Sequence, residues 1–169
     1  AGRENADVIL VGELRGRETM KMALQLASFG ILIFATVHTN SAPATIDRFV
    51  NAFPASQQPQ IRGMLADSLA GIVAQQLLRK ADGSGRVAAQ EILIGTSGVA
   101  SAIREGKTTR LQSLIQSGGS HGMQSIDAVL AGLVAQGVVA PEDALEKAAD
   151  KNSFARIPAV AAALKGGRA

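Results

Sequence analysis

The sequence has 169 residues, 47% of them hydrophobic and 18% charged, which suffices to bury one core and excludes a disordered chain. It contains no cysteine, so a disulfide scaffold, a thiolate metal site and a cysteine nucleophile are excluded, and its two histidines alone are too few for a zinc site. The formal net charge of +3 rests on scattered cations with no Trp or Tyr beside them; this predicts a solvated basic surface and no nucleic-acid partner.

The chain starts at Ala1 rather than Met, with no leader-like run ahead of the first apolar segment, which points to a fragment. Residues 6–12, Ala-Asp-Val-Ile-Leu-Val-Gly, form a short β-branched run of the kind buried in a parallel sheet. Met20, Ala23, Leu24 and Ala27 then recur at helical spacing up to Gly30, and Ile31 to Val37 reads as a second buried strand. No charged residue occurs from Met22 to Ile46, but Gln25, Ser28, Gly30, His38, Asn40 and Pro43 interrupt the run. A soluble domain is expected rather than a membrane span.

Strand, helix and strand make a βαβ unit, whose right-handed crossover sets the two strands parallel. Their carboxyl ends then share one sheet edge, where ligands of open α/β sheets bind. Glu13 follows the first strand and His38 the second. On strands ~4.8 Å apart both side chains could reach one ligand. The alternative is that Glu13 caps the next helix and His38 serves a turn.

Further along, Pro43 to Phe53 predicts a short helix, and Ser56 to Leu69 and beyond, as far as Ile72, a longer one. Residues 76–80 and 86–94, around Ala-Asp-Gly-Ser-Gly, read as a β-hairpin. After Gly95 the pattern turns helical, with segments near Thr96–Arg104, Thr109–Gln116, Met123–Gln136 and Pro141–Ala149. The expected division is residues 1–95 as an α/β core, 96–158 as a helical subdomain and 159–169 as a frayed tail.

Two short motifs mislead. Gly106-Lys107-Thr108 has the ending of a phosphate-binding loop, but Ser101 stands where that loop needs glycine, and a helix precedes it instead of a strand. Gly118-Gly-Ser120-His121-Gly122 matches the nucleophile elbow of serine hydrolases, yet helical spacing precedes it and no histidine follows His121. A serine hydrolase centred on Ser120 and a basic non-enzymatic binding module remain as alternatives of other classes.

Longer runs carry a resemblance. Asp7-Val-Ile-Leu-Val-Gly-Glu13-Leu-Arg15 with Glu18-Thr19 resembles the Walker B segment of type II and type IV secretion ATPases. Thr36-Val-His38-Thr39-Asn40-Ser41 through Asp47-Arg48 to Phe53-Pro54 is similar to their histidine box. Gly85 to Thr96 and Ile115 to Asp127 are similar to the PilT-like pilus-retraction branch, which lacks the four-cysteine zinc insertion of extension and type II secretion motors. Together these runs extend from Arg3 to about Ala149. The chain departs from the pattern at Gly16-Arg17, where an Asp-Leu pair is usual. It departs again before Ala102-Ile103-Arg104-Glu105, the second half of a retraction signature whose first half is absent.

The resemblance implies a partial RecA-like P-loop ATPase core, followed by a helical appendage, from the carboxy-terminal half of a hexameric motor. ATP with Mg²⁺ would be its nucleotide, an inner-membrane pilus platform protein its partner, and the cytoplasmic face of that membrane its location. It makes Glu13 the catalytic carboxylate and His38 the γ-phosphate contact. Arg15, Thr36 and Thr39 become phosphate-site candidates, and Ala102, Ile103, Arg104 and Glu105 the retraction residues. No protein metal ligand is implied. A type II or IV secretion or pilus-assembly ATPase is the runner-up. The Walker A motif that would cradle the phosphates does not occur in these residues.

Overall fold

The computed structural model describes residues 6–166. They form an α/β structure of two compact units: one takes the chain up to Ile72 together with Ile94–Leu114, the other Val73–Leu93 with the chain from Ile115 onward.

The first unit begins with β1 (Val8–Val11), α1 (Arg17–Ser28) and β2 (Leu32–Ala35). β1 and β2 pair in parallel, Val8 opposite Leu32 and Val11 opposite Ala35. Helix α1 buries Met20, Ala23 and Leu24, one face of a 3.6-residue period. It stops at Gly30, whose φ of 88° lies in the left-handed region that glycine enters without a Cβ clash. Helix α2 (Ala42–Asn51) starts where Ser41 accepts a hydrogen bond from the Ala44 N–H, and it buries Ile46, Phe49 and Val50.

Helix α3 (Gln58–Ser68) packs on α1 and on α4 (Ser97–Arg104), which Thr96 caps. The expected helix through Ile72 is shorter than its apolar spacing suggested. Leu69 turns extended at ψ 112°, and Ile72 already belongs to a strand. The return into α4 is tight at Gly95: its N–H donates to the Ala70 carbonyl, and a Cβ there would overlap the Leu69 carbonyl oxygen.

The second unit holds most of a hairpin, β3 (Gly71–Arg79) and β4 (Arg86–Ile94). Gly83 and Gly85 take positive φ in its turn, and Asp82 accepts from the Ser84 N–H. Its helices are α6 (Ile126–Ala135), α7 (Pro141–Lys147), α8 (Lys151–Phe154) and α9 (Pro158–Gly166). The division between the units falls within α5 (Thr109–Ser117), between Leu114 and Ile115. Leu78 and Ala89 of the hairpin join Ile126, Leu130, Val134, Val139, Phe154 and Val160 in one buried core. Asp127 ties the loop before α8, accepting from the N–H groups of Ala149 at 2.8 Å and Asp150 at 3.2 Å.

Three expectations change. The division does not fall at residue 95: the hairpin groups with the later helices, and α4 with the parallel strands. The expected frayed tail is helix α9 as far as Gly166, because Val160 is wholly buried in the core; residues 167–169 lie outside the described residues. The parallel strands are not buried on both faces, since Val8, Leu10, Leu32 and Phe34 share one face and are 44–77% exposed. No helix among the described residues is long and apolar enough to cross a membrane.

Candidate functional site

The parallel register carries the two chain segments beyond β1 and β2 side by side. The Leu14 N–H donates to the Thr36 carbonyl at 3.0 Å, and the Thr36 hydroxyl donates to the Gly12 carbonyl oxygen. This pinning brings Glu13 and His38 together, with Glu13 Oε1 3.1 Å from His38 Nε2. On the other side Arg15 Nε donates to Glu13 Oε2 at 2.6 Å. The carboxylate is thus held by a different group at each oxygen.

Exposure differs sharply within the trio. The Glu13 side chain is 23% exposed, against 73% for His38 and 82% for Arg15. Glu13 is therefore the most covered of the three, between two exposed basic groups. The hydrogen bond and charge of Arg15, helped by His38, hold its carboxyl below the ordinary glutamate value against a smaller opposing effect of desolvation. A fixed, ionised carboxylate beside an imidazole can accept a proton from water and present a donor to an anion.

The other candidate residues divide. Thr36 is at the edge, but its hydroxyl serves the strand pair. Thr39 lies three residues ahead of α2, its hydroxyl 2.6 Å from that of Thr45 in the helix. Ala102 and Ile103 are buried in α4, while Arg104 pairs with Asp67 of α3. Glu105 meets Lys107 at 2.8 Å, Ser101 at 2.7 Å and Arg110 at 3.4 Å. The Lys107 and Ser101 contacts hold its carboxyl below the usual range. This group was expected in a separate appendage, but it belongs to the same compact unit as Glu13 and His38.

Two contacts had no individual sequence signal. Arg48 of α2 donates to the His38 carbonyl at 3.1 Å, supporting the backbone that carries the ring. Thr108 donates to Asp47 of the same helix at 3.3 Å. Ser120 and His121 stand 3.3 Å apart on an exposed 3₁₀ turn, with no strand leading to the serine. That turn lacks the strand-to-helix support that presents a nucleophile. Among the described residues no group of three or more His, Cys, Asp or Glu side chains could hold a metal ion.

A family model described as type II/IV secretion system protein matches residues 2–124. A Pseudomonas aeruginosa protein described as "Type IV pilus retractation ATPase PilT" is 49% identical over 152 residues, covering 90% of this chain and 44% of that protein. A Neisseria gonorrhoeae twitching motility protein is 47% identical over 152 residues, covering 90% and 41%. The solved structure of the pilus retraction motor PilT with bound ADP is 42% identical and superposes with a TM-score of 0.82, over 92% of this chain and 43% of that one. The chain therefore spans about two fifths of the length of the relatives it matches.

Proposed function

Because the chain belongs to the type II/IV secretion system protein family, we propose that it forms the carboxy-terminal part of a hexameric motor ATPase that drives type IV pilus retraction. Its fold is part of a RecA-like α/β core with helices after it. The observation that carries the proposal is the 3.1 Å approach of Glu13 and His38 at the carboxyl edge of a parallel strand pair.

Glu13 takes the role of the carboxylate that orients and deprotonates water. The water oxygen bonds the γ-phosphorus, the bridging oxygen leaves with its electron pair on ADP, and the water proton passes to Glu13 before release to solvent. His38 contacts the γ-phosphate oxygens and marks their presence. Mg²⁺ supplies charge neutralisation when it arrives with the phosphates. The described residues alone do not form a cage for it.

The phosphate cradle must come from another part of the motor. A strand carrying it would pair with the free side of β2, and the apolar face of Val8, Leu10, Leu32 and Phe34 supports a further layer there. The motor would work on the cytoplasmic side of the inner membrane, docked to a pilus platform protein.

The test uses the full-length motor. Glu13→Gln should abolish turnover while ATP binding persists, because the amide keeps the shape and cannot accept the proton. His38→Ala should slow turnover less. Wild-type turnover in Glu13→Gln would remove Glu13 from the chemistry and leave it only its contacts with Arg15 and His38. Calorimetry of this chain alone with Mg·ATP should give no micromolar binding, since Glu13 and His38 cannot fix a nucleotide by themselves.

A further inference from the structure

Arg15 has a geometry that the proposed chemistry leaves unexplained. It lies two residues beyond Glu13 on the extended link to α1, and among the described residues Glu13 is its one ion-pair partner. Only its Nε is engaged there, and the side chain is 82% exposed. The remaining guanidinium donors therefore face outward, at the edge where His38 also stands. An exposed pair of this kind exchanges partners at little cost.

The pairing also works against the task proposed for Glu13. A carboxylate stabilised by a guanidinium is a weaker base than a free one. A general base becomes more effective as its pKa approaches the working pH. The charged groups acting on Glu13 are Arg15 on its own segment and His38 from the segment after β2. Arg48 reaches only the His38 carbonyl. Of the two groups, Arg15 carries the guanidinium, which pairs with phosphate as readily as with carboxylate.

We propose that Arg15 is a movable counter-ion, holding Glu13 aimed and muted until the terminal phosphate of a nucleoside triphosphate draws the guanidinium away and frees Glu13 Oε2 to accept the water proton. This rests on the role given to Glu13 above. Through its direct contact with the phosphate, Arg15 links arrival of a triphosphate to activation of the base. A diphosphate, lacking the terminal group, leaves the pair closed.

Binding of a non-hydrolysable ATP analogue and of ADP to the full-length motor tests this through a double-mutant cycle. Glu13→Gln removes the competing carboxylate charge, so the analogue should bind on the order of fivefold tighter while ADP affinity stays unchanged. Arg15→Gln should weaken the analogue, again without changing ADP. In the double variant the gain from Glu13→Gln should vanish, and Arg15→Lys should restore part of it. A gain that persists without Arg15 would mean simple carboxylate–phosphate repulsion and overturn the proposal. Equal effects on analogue and ADP would overturn it too. Turnover of Glu13→Gln, measured on the same preparation, separates the two failures. Wild-type turnover defeats the role of Glu13 itself, whereas a dead variant with an additive cycle defeats only the exchange by Arg15.

Discussion

The two compact units solve the problem of apolar surface in opposite ways. The hairpin and later helices close a core on themselves, with Leu130, Phe154 and Val160 fully buried. The unit carrying Glu13 buries its helices against one another but leaves a sheet face of Val8, Leu10, Leu32 and Phe34 open. Helices can complete a core by facing each other, whereas a two-stranded parallel sheet has two faces and two edges to satisfy. The proposed site lies on the unit with the open sheet face.

The largest effect should come from the closed core. Phe154→Ala should cost about 3–5 kcal/mol, because the ring is wholly buried and its removal leaves a cavity. Phe34→Ala, at a position 55% exposed, should change stability by about 0.5 kcal/mol or less in this chain. Denaturant unfolding of both variants checks the contrast. A costly Phe34→Ala would show the sheet face to be covered, for instance by a second copy.

Gly95→Ala should follow, at about 1–3 kcal/mol, since the new Cβ would force the Leu69 carbonyl to move. This would show that the open unit is nonetheless tightly packed behind its sheet, and thermal unfolding is the measurement. Ser41→Ala in the open unit and Ser125→Ala in the closed one remove equivalent helix caps. Each should cost about 1 kcal/mol. Closely similar values would confine the contrast between units to burial rather than local helix stability.

The smallest effect is a pH dependence in the closed unit. The Ser153 hydroxyl and N–H, with the Asn152 N–H, hold the Asp150 carboxyl below its ordinary value of 3.8. A depressed pKa adds stability above the unfolded value and loses it as pH falls through the folded one. The stability gap between wild type and Asp150→Asn should therefore narrow below about pH 3.8 in acid titrations followed by circular dichroism. A gap that stays constant would show that the carboxylate charge contributes nothing at this cap.

Much of this contrast can be traced to particular residues. The parallel pair and the meeting of Glu13 with His38 follow from the crossover rule applied to two apolar runs and one amphipathic helix. The grip of Arg15 was less visible, because an i, i+2 pair faces one way only if the link between them stays extended. The start of β3 was hidden because Leu65, Leu69 and Ile72 keep helical spacing across a helix end. Extended Leu69 and the β-branched pair Ile72-Val73 mark the change of period. Helices α8 and α9 lie beyond the helical segments expected through Ala149, although Asp150 as a cap and Pro158 in a first turn are ordinary start signals.

The hairpin's membership of the later unit has a consequence for synthesis on the ribosome. Leu78 and Ala89 leave the exit tunnel well before Phe154 and Val160, which share their buried core. At about 5–20 residues per second, a lag of about 70 residues is on the order of 4–14 s. During that interval a sticky nine-residue strand pair waits with its inner side wet. A nascent-chain arrest that leaves Ile94 just clear of the tunnel should therefore recruit holding chaperones, and one that leaves Gly166 clear of it should release them.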